Sequence, residues 1–255
     1  MNAVAQMKTL FHLALSPIRG DTHQQRLESF YGGQAENYDS WRERMLHGRR
    51  ELVAMLSVPH DGVWVDFGAG TGRNAEYFGS RIQRLKQAYL VDLCPSLLEV
   101  ASSRVRENNW QNVSVVEADA TRYEPPEEQV DLVTFSYSLT MIPDWFLALE
   151  QAWRLLRPGG MIGVVDFYVS RKHPAGDRER HGWFTRSCWP GWFAMDNVFL
   201  SGDHLPMLAN WFEPIAVRES RGKIPFVPWL RAPYYQFVGR KPLDANARTG
   251  PPIGV

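Results

Sequence analysis

The stretch Asp66-Phe67-Gly68-Ala69-Gly70-Thr71-Gly72 constrains this chain more than any other. It continues Val63-Trp64-Val65, an apolar run that reads as a buried strand. Glycines directly after such a strand let the backbone turn tightly and approach a ligand closely. The helix that follows must then present its free N–H groups and positive end to that ligand. The spacing is G-x-G-x-G, whereas a dinucleotide site carries G-x-G-x-x-G, which argues against a nucleotide-binding oxidoreductase. Asp66 stands two residues before the first glycine, where a carboxylate suits a cationic amino group. Asp92 ends the next strand-like run and can accept hydrogen bonds from both hydroxyls of a ribose.

The elements around this motif alternate. Strands are expected at Val63–Phe67, Ala88–Asp92, Val113–Val116, Val130–Phe135 and Met161–Phe167, with helices after the first glycines, over Ser96–Glu107 and over Asp144–Leu156. That order predicts an α/β, Rossmann-like, mostly parallel sheet with helices on both faces. Two late strands, Glu213–Ser220 and Tyr234–Gly239, bring the count to seven. Ligands of such sheets bind at the carboxyl ends of the strands. Helices are also expected over Ala3–Leu15, Thr22–Tyr31 and Asp39–Leu56, making residues 1–60 a cap over residues 61–240. Residues 170–206 read as an irregular insertion covering the site, the turn Leu156–Gly160 as a structural feed into the fifth strand, and residues 241–255 as a disordered tail.

Composition removes several classes. Formal net charge is zero, so no global field draws the chain to nucleic acid. Cys94 and Cys188 form no metal-ligand pair and read as free thiols in a reducing compartment. No apolar run approaches the ~20 residues of a membrane span, and no signal peptide is apparent. The ten tryptophans crowd toward the C-terminus, either as an aromatic core or as an apolar surface for a greasy or cationic substrate.

Glu117-Ala118-Asp119-Ala120 follows the third strand, where an acid can accept from an adenine amino group. The four stretches together resemble class I S-adenosylmethionine-dependent methyltransferases. The resemblance implies S-adenosylmethionine as cofactor, no metal, and a cofactor site of Gly68, Ala69, Gly70, Asn74, Asp66, Asp92, Leu93, Asp119, Ala120 and Ser136. Tyr38 and Arg42, on the helices before the first strand, are expected to close over it, with Arg42 able to clamp the methionine carboxylate.

A narrower resemblance runs through residues 10–242. Ser16–Asp21, Arg26–Tyr31, Gln34–Asp39, Leu46–Arg49, Tyr89–Cys94, Thr134–Leu139 with Met141–Pro143, Asp166–Ser170 and above all Ile224–Tyr235 are similar to the methyltransferase component of betaine-lipid synthesis. That likeness implies three successive N-methylations of diacylglyceryl-homoserine. It also implies a separate aminobutyryl-transferase partner, a lipid substrate at a membrane surface and a cytoplasmic, peripheral location. The first helix, Ala3–Leu15, is then a candidate interfacial anchor. Methylation of phosphatidylethanolamine or of another small amine is the alternative, and a pseudoenzyme that binds a lipid or partner is a third.

The chemistry asks for little from the protein beyond alignment. Positioning an amine against a sulfonium methyl can supply roughly 7–11 kcal/mol. Deprotonating an amine of pKa about 8 or a little higher costs only ~1–3 kcal/mol at neutral pH. A dedicated strong base is therefore unnecessary. Tyr137, His47 and Asp166 are the candidates for taking the proton through water, and Tyr31, Arg231 and Tyr234 for holding the substrate.

Overall fold

The structure, a computed structural model, describes residues 20–31, 44–195, 197–225 and 227–244. The expected helix at Ala3–Leu15, the site candidates Tyr38 and Arg42, and most of the expected tail lie outside the described residues.

A seven-stranded sheet runs β3-β2-β1-β4-β5-β7-β6. Its strands are β1 Val63–Phe67, β2 Gln87–Asp92, β3 Val113–Glu117, β4 Val130–Ser136, β5 Leu156–Phe167, β6 Glu213–Ile224 and β7 Val227–Arg240. The first five pair in parallel, and β7 lies antiparallel to both β5 and β6. The expected α/β, Rossmann-like sheet is therefore present. Chain order reverses at β1, so the carboxyl ends of β1, β2 and β4 form the crevice where a ligand fits.

The helices are α1 His23–Tyr31, α2 Arg49–Met55, α3 Arg73–Tyr77, α4 Pro95–Glu107, α5 Trp145–Leu155, α6 Trp183–Ala194 and α7 His204–Trp211. Strand alternation divides the core in two. Trp64, Leu90 and Leu132 point to one face and pack with Leu52 and Val53 of α2 and Ala75 of α3. Val65, Phe67, Val133 and Phe135 point to the other and pack with Ala148, Leu149 and Ala152 of α5 and Leu208 and Trp211 of α7. Each β1 residue is buried because both faces are covered.

Several elements differ from expectation. Only Arg49–Met55 of the expected Asp39–Leu56 helix is helical among its described residues, because Gly48 caps it in the left-handed region at φ 82°. Leu156 pairs with Val130 at the start of β5, and residues 157–160 then bulge out before Met161 pairs with Leu132, so the expected turn is carried inside the strand. Residues 170–206 are not irregular throughout, since they contain α6 and the start of α7. Their entry is locked by a reciprocal pair: Ser170 N–H donates to His181 Nδ1 at 3.0 Å, and His181 N–H donates to Ser170 Oγ at 2.8 Å. Lys241 is half-buried rather than part of a loose tail; its Nζ donates to the carbonyls of Trp153 and Leu156, capping α5. Both cysteines are free thiols, Cys94 buried and Cys188 exposed.

His204, at the start of α7, is fully buried, edge-on to Trp145, and neither ring nitrogen has a hydrogen-bond partner among the described residues. Burial pushes its pKa down from 6.5 to about 4. An imidazole kept neutral by the fold takes up protons more readily once unfolded, so its contribution to stability is lost as pH falls from 6.5 toward about 4. His204→Leu is expected to raise unfolding free energy by about 1 kcal/mol at pH 7. The gain should grow as pH falls to 5, as read from urea denaturation at the two pH values.

Candidate active site at the carboxyl end of the sheet

The crevice holds a cavity of about 240 Å³. Its floor is the glycine loop. Gly68 and Gly70 have φ of 68° and 55°, and a Cβ on Gly68 would stand 2.3 Å from Ser138 Cβ. Only glycine permits both the turn and that contact. The loop is tied to β2: Gly68 and Ala69 N–H donate to the Val91 carbonyl at 2.8 and 3.1 Å. Gly70 N–H donates to Asp92 Oδ2 at 2.8 Å, and Cys94 N–H to Asp92 Oδ1 at 2.9 Å. Asp92 is thereby fixed in the cavity wall, beside Leu93, with burial raising its pKa. Asp119 is fixed as firmly, since its Oδ1 accepts from Thr121 N–H at 2.9 Å and Thr121 Oγ1 at 2.8 Å. Asp119, Ala120 and Ser136 all line the cavity.

Asp66 is not on the cavity surface, which corrects its expected role as a direct receptor for an ammonium group. It is fully buried, and both oxygens are taken. Thr134, its register partner on β4, donates through Oγ1 to Oδ1, and Asn74 of α3 donates through Nδ2 to Oδ2 at 3.0 Å. Thr134 in turn accepts from Trp64 Nε1 at 2.8 Å. Asp66 therefore orients Asn74, whose Oδ1 is buried without a partner in a residue lining the cavity. The acceptor for a cation is the amide oxygen, with the carboxylate one bond behind it.

Two further features of this site go beyond the sequence reading, which named Tyr31 as a site residue but not its helix neighbours His23 and Leu27, nor Arg49. One face of α1 closes the cavity through His23, Leu27 and Tyr31, spaced four apart. Glu28 on the same helix holds it down by accepting from Cys94 Sγ, Ser96 N–H and Ser96 Oγ. The second is Arg49. It lines the cavity, is 8% exposed, and its Nε and Nη2 have no hydrogen-bond partner among the described residues. The signal was available, because Arg49 lies in the Leu46–Arg49 segment and opens a helix just after a glycine. Arg42, the arginine expected from the sequence to clamp the carboxylate, lies outside the described residues.

Tyr137 lines the cavity at φ 56°, a strained value for a bulky residue. Its hydroxyl donates to the His47 carbonyl at 2.6 Å, and its ring packs on Phe167 at 4.6 Å. Burial drives its pKa well up, so the expectation that it accepts a proton is replaced by a role for its ring. His47 does not line the cavity. Its Nε2 is 3.0 Å from the Lys223 carbonyl, and its own carbonyl holds Tyr137. Asp166 is likewise outside the lining. It accepts from Thr140 Oγ1 at 2.7 Å and Thr140 N–H at 3.1 Å, pinning the loop after β4, with burial raising its pKa to about 7. Tyr234 packs against the Gly48 turn rather than the cavity, and Arg231 is exposed on β7 opposite Lys223. Of the expected substrate residues, Tyr31 alone lines the cavity.

Residues 65–160 match the family described as a methyltransferase domain. The ubiquinone/menaquinone biosynthesis C-methyltransferase UbiE of Psychromonas ingrahamii is 26% identical over 175 residues, covering 66% of this chain and 70% of that protein. The N-methyltransferase NodS of Bradyrhizobium japonicum, solved with S-adenosyl-L-homocysteine, superposes with a TM-score of 0.61 at 15% identity, covering 87% of this chain and all of that one. Phosphoethanolamine N-methyltransferase 2 of Haemonchus contortus, solved with phosphomonomethylethanolamine and S-adenosylhomocysteine, does so at 0.63 and 15%, covering 88% of this chain and 61% of that one. Residues 65–160 thus match a methyltransferase domain, and the sheet that carries them has the Rossmann-like fold of these solved methyltransferases.

The unpartnered atoms of the cavity fit S-adenosylmethionine, the cofactor expected from the sequence. Among the described residues Asn74 Oδ1, Ser136 Oγ and Arg49 Nε and Nη2 are buried without hydrogen-bond partners, and an amino acid zwitterion needs an acceptor for its ammonium and a donor for its carboxylate.

Burial raises the Asp66 pKa from 3.8 to about 6, against the opposing hydrogen bonds of Thr134 and Asn74. Asn74 is oriented by the ionised carboxylate, so affinity for S-adenosylmethionine should be flat above pH 7. Below pH 6 it should weaken by up to ~10-fold per pH unit. A carboxyl with a raised folded pKa makes its own contribution to folding more favourable as pH falls, so this loss is not unfolding driven by Asp66. Calorimetric titration from pH 5 to 8 checks it, and Asp66→Asn should bind weakly with no step in this range. Gly68→Ala should abolish cofactor binding in the same assay.

Proposed function

We propose that the protein is an N-methyltransferase that adds methyl groups in succession to the amine of diacylglyceryl-homoserine, ending in the trimethylated betaine lipid. One observation carries the reading. The segments similar to the betaine-lipid methyltransferase component are far apart in the chain, yet four of them meet at one cavity. Arg26–Tyr31 contributes Leu27 and Tyr31, Leu46–Arg49 contributes Leu46 and Arg49, Tyr89–Cys94 contributes Val91, Asp92 and Leu93, and Thr134–Leu139 with Met141–Pro143 contributes Ser136, Tyr137, Ser138, Met141, Ile142 and Pro143. The two solved neighbours named above are N-methyltransferases, which favours nitrogen as the acceptor. The curated relative is a C-methyltransferase, which favours carbon.

Bound S-adenosylmethionine would supply the electrophilic methyl group. Arg49 would offer its N–H donors to the methionine carboxylate and Asn74 Oδ1 would accept from the ammonium. Asp92 would accept from the ribose hydroxyls, and Asp119 from the adenine amino group. The Tyr137 ring, locked by its hydroxyl and by Phe167, forms a wall against which a substituted ammonium can rest. The acceptor amine would release one proton to solvent for each methyl group it takes, so three rounds would release three protons. Alignment of that amine by the cavity wall would carry most of the acceleration.

Incubation with labelled S-adenosylmethionine and diacylglyceryl-homoserine in detergent micelles should yield products one, two and three methyl groups heavier by lipid mass spectrometry. Methylation of phosphatidylethanolamine or of a quinone ring in their place would transfer the assignment to those acceptors. Arg49→Lys keeps the charge but loses the forked donor set, and is expected to weaken cofactor binding by roughly 10–100-fold. An unchanged dissociation constant would remove Arg49 from the site.

A further inference from the structure

Helix α6 carries apolar side chains on two opposite sides. Trp189 and Phe193 point inward and are 7% and 2% exposed. Phe184, Cys188, Trp192 and Met195 recur at helical spacing on the other side, and the three large ones are 66%, 52% and 68% exposed. Neither the fold nor the cavity uses this outer stripe. The surrounding charge is one-sided: residues 171–195 hold five Lys or Arg and two Asp or Glu, in a chain whose formal net charge is zero. Glu179 already pairs with Arg221, while Lys172 and Arg180 are exposed. The helix itself contains Arg186 and no acid.

The stripe is also continuous with the reaction site. The Phe193 ring lies 4.6 Å from that of Phe167, which lies 4.6 Å from that of Tyr137 in the cavity wall. The outer Trp192 joins this path through Trp189, whose ring lies 6.1 Å from that of Trp192 and 5.6 Å from that of Phe193, so aromatic rings connect the outer face with the cavity wall.

We propose that the outer face of α6 is a membrane-docking surface that seats the protein on an anionic bilayer and presents the cavity to lipid at the headgroup level. Exposed tryptophan and phenylalanine on a helix preceded by the exposed cations Lys172 and Arg180 suit the boundary between headgroups and acyl chains, where the ring is buried and the cation meets phosphate. A protein partner matched to this face would need its own acidic rim, and a second copy of the chain would bring like charge to like charge. The inference rests on a lipid amine as substrate. Among the described residues no helix is long and apolar enough to cross a membrane, so contact by α6 is peripheral.

The test uses the full chain with vesicles of phosphatidylcholine alone and with about a third phosphatidylglycerol. Cys188 lies on the stripe and is exposed, whereas Cys94 is buried, so a thiol-reactive environment-sensitive dye reports on α6 selectively. Its emission should shift to the blue on the anionic vesicles. The double variant Phe184→Ser with Trp192→Ser should partition ~10-fold more weakly. Its methyl transfer to a short-chain, monomeric amine lipid should be unchanged. Vesicle binding with no spectral shift at Cys188, or a double variant that floats like the parent, would overturn the surface. Binding through α6 without methylation of any lipid amine would support the surface and remove the proposed substrate instead.

Discussion

The site is organised around one buried carboxylate. Asp66 ends β1 with no exposed surface, and its two oxygens join three elements: β1 itself, β4 through Thr134, and α3 through Asn74. A carboxylate taken out of water is costly unless its lone pairs are satisfied, so both donors must be in place for the strand ends to stay in register. That requirement holds the carboxyl end of β1 beside β4. It also sets the start of α3 so that the glycine loop arches over Ser138 at a distance only Gly68 tolerates. The cavity floor follows from these contacts.

A second framework holds the wall. The turn at His47 and Gly48 is seated on the β6–β7 hairpin: His47 reaches the Lys223 carbonyl, Gln236 donates to the Gly48 carbonyl at 2.7 Å, and Tyr234 packs where a Cβ on Gly48 would be. Two functional side chains depend on that seat. The His47 carbonyl holds the Tyr137 hydroxyl, and Gly48 starts the helix whose first residue is Arg49. The late segment Ile224–Tyr235 resembles the betaine-lipid component most specifically, and through the hairpin it shapes the cavity without lining it. Asp166 acts at a comparable distance, pinning Thr140 and the loop that carries Tyr137.

Fold and reaction are separable here. The fold is shared with solved proteins named for nitrogen methylation, and the chain is also similar to one named for carbon methylation. The wall of this cavity is formed by α1, Arg49 and the loop after β4, with aromatic rings leading outward toward α6.

The sequence by itself determined a seven-stranded, mostly parallel sheet, the glycine loop, Asp92, Asp119 and their side of the sheet. Those signals are local: two-residue alternation marks strands, glycine marks a turn, and an acid at a strand end has one direction to face. It also named Tyr31 and Tyr137, which line the cavity, and Asp66, His47, Asp166, Arg231 and Tyr234, which do not. Only the tertiary structure decided that Asp66 works through Asn74, that His47 contributes its carbonyl, and that Arg49 is the buried cation at the cavity. These depend on pairings across 8 to 188 positions, from Asp66 with Asn74 to Gly48 with Gln236. Whether a carboxylate faces ligand or neighbour is set by which donors the fold brings to it, and no periodicity in the chain encodes that.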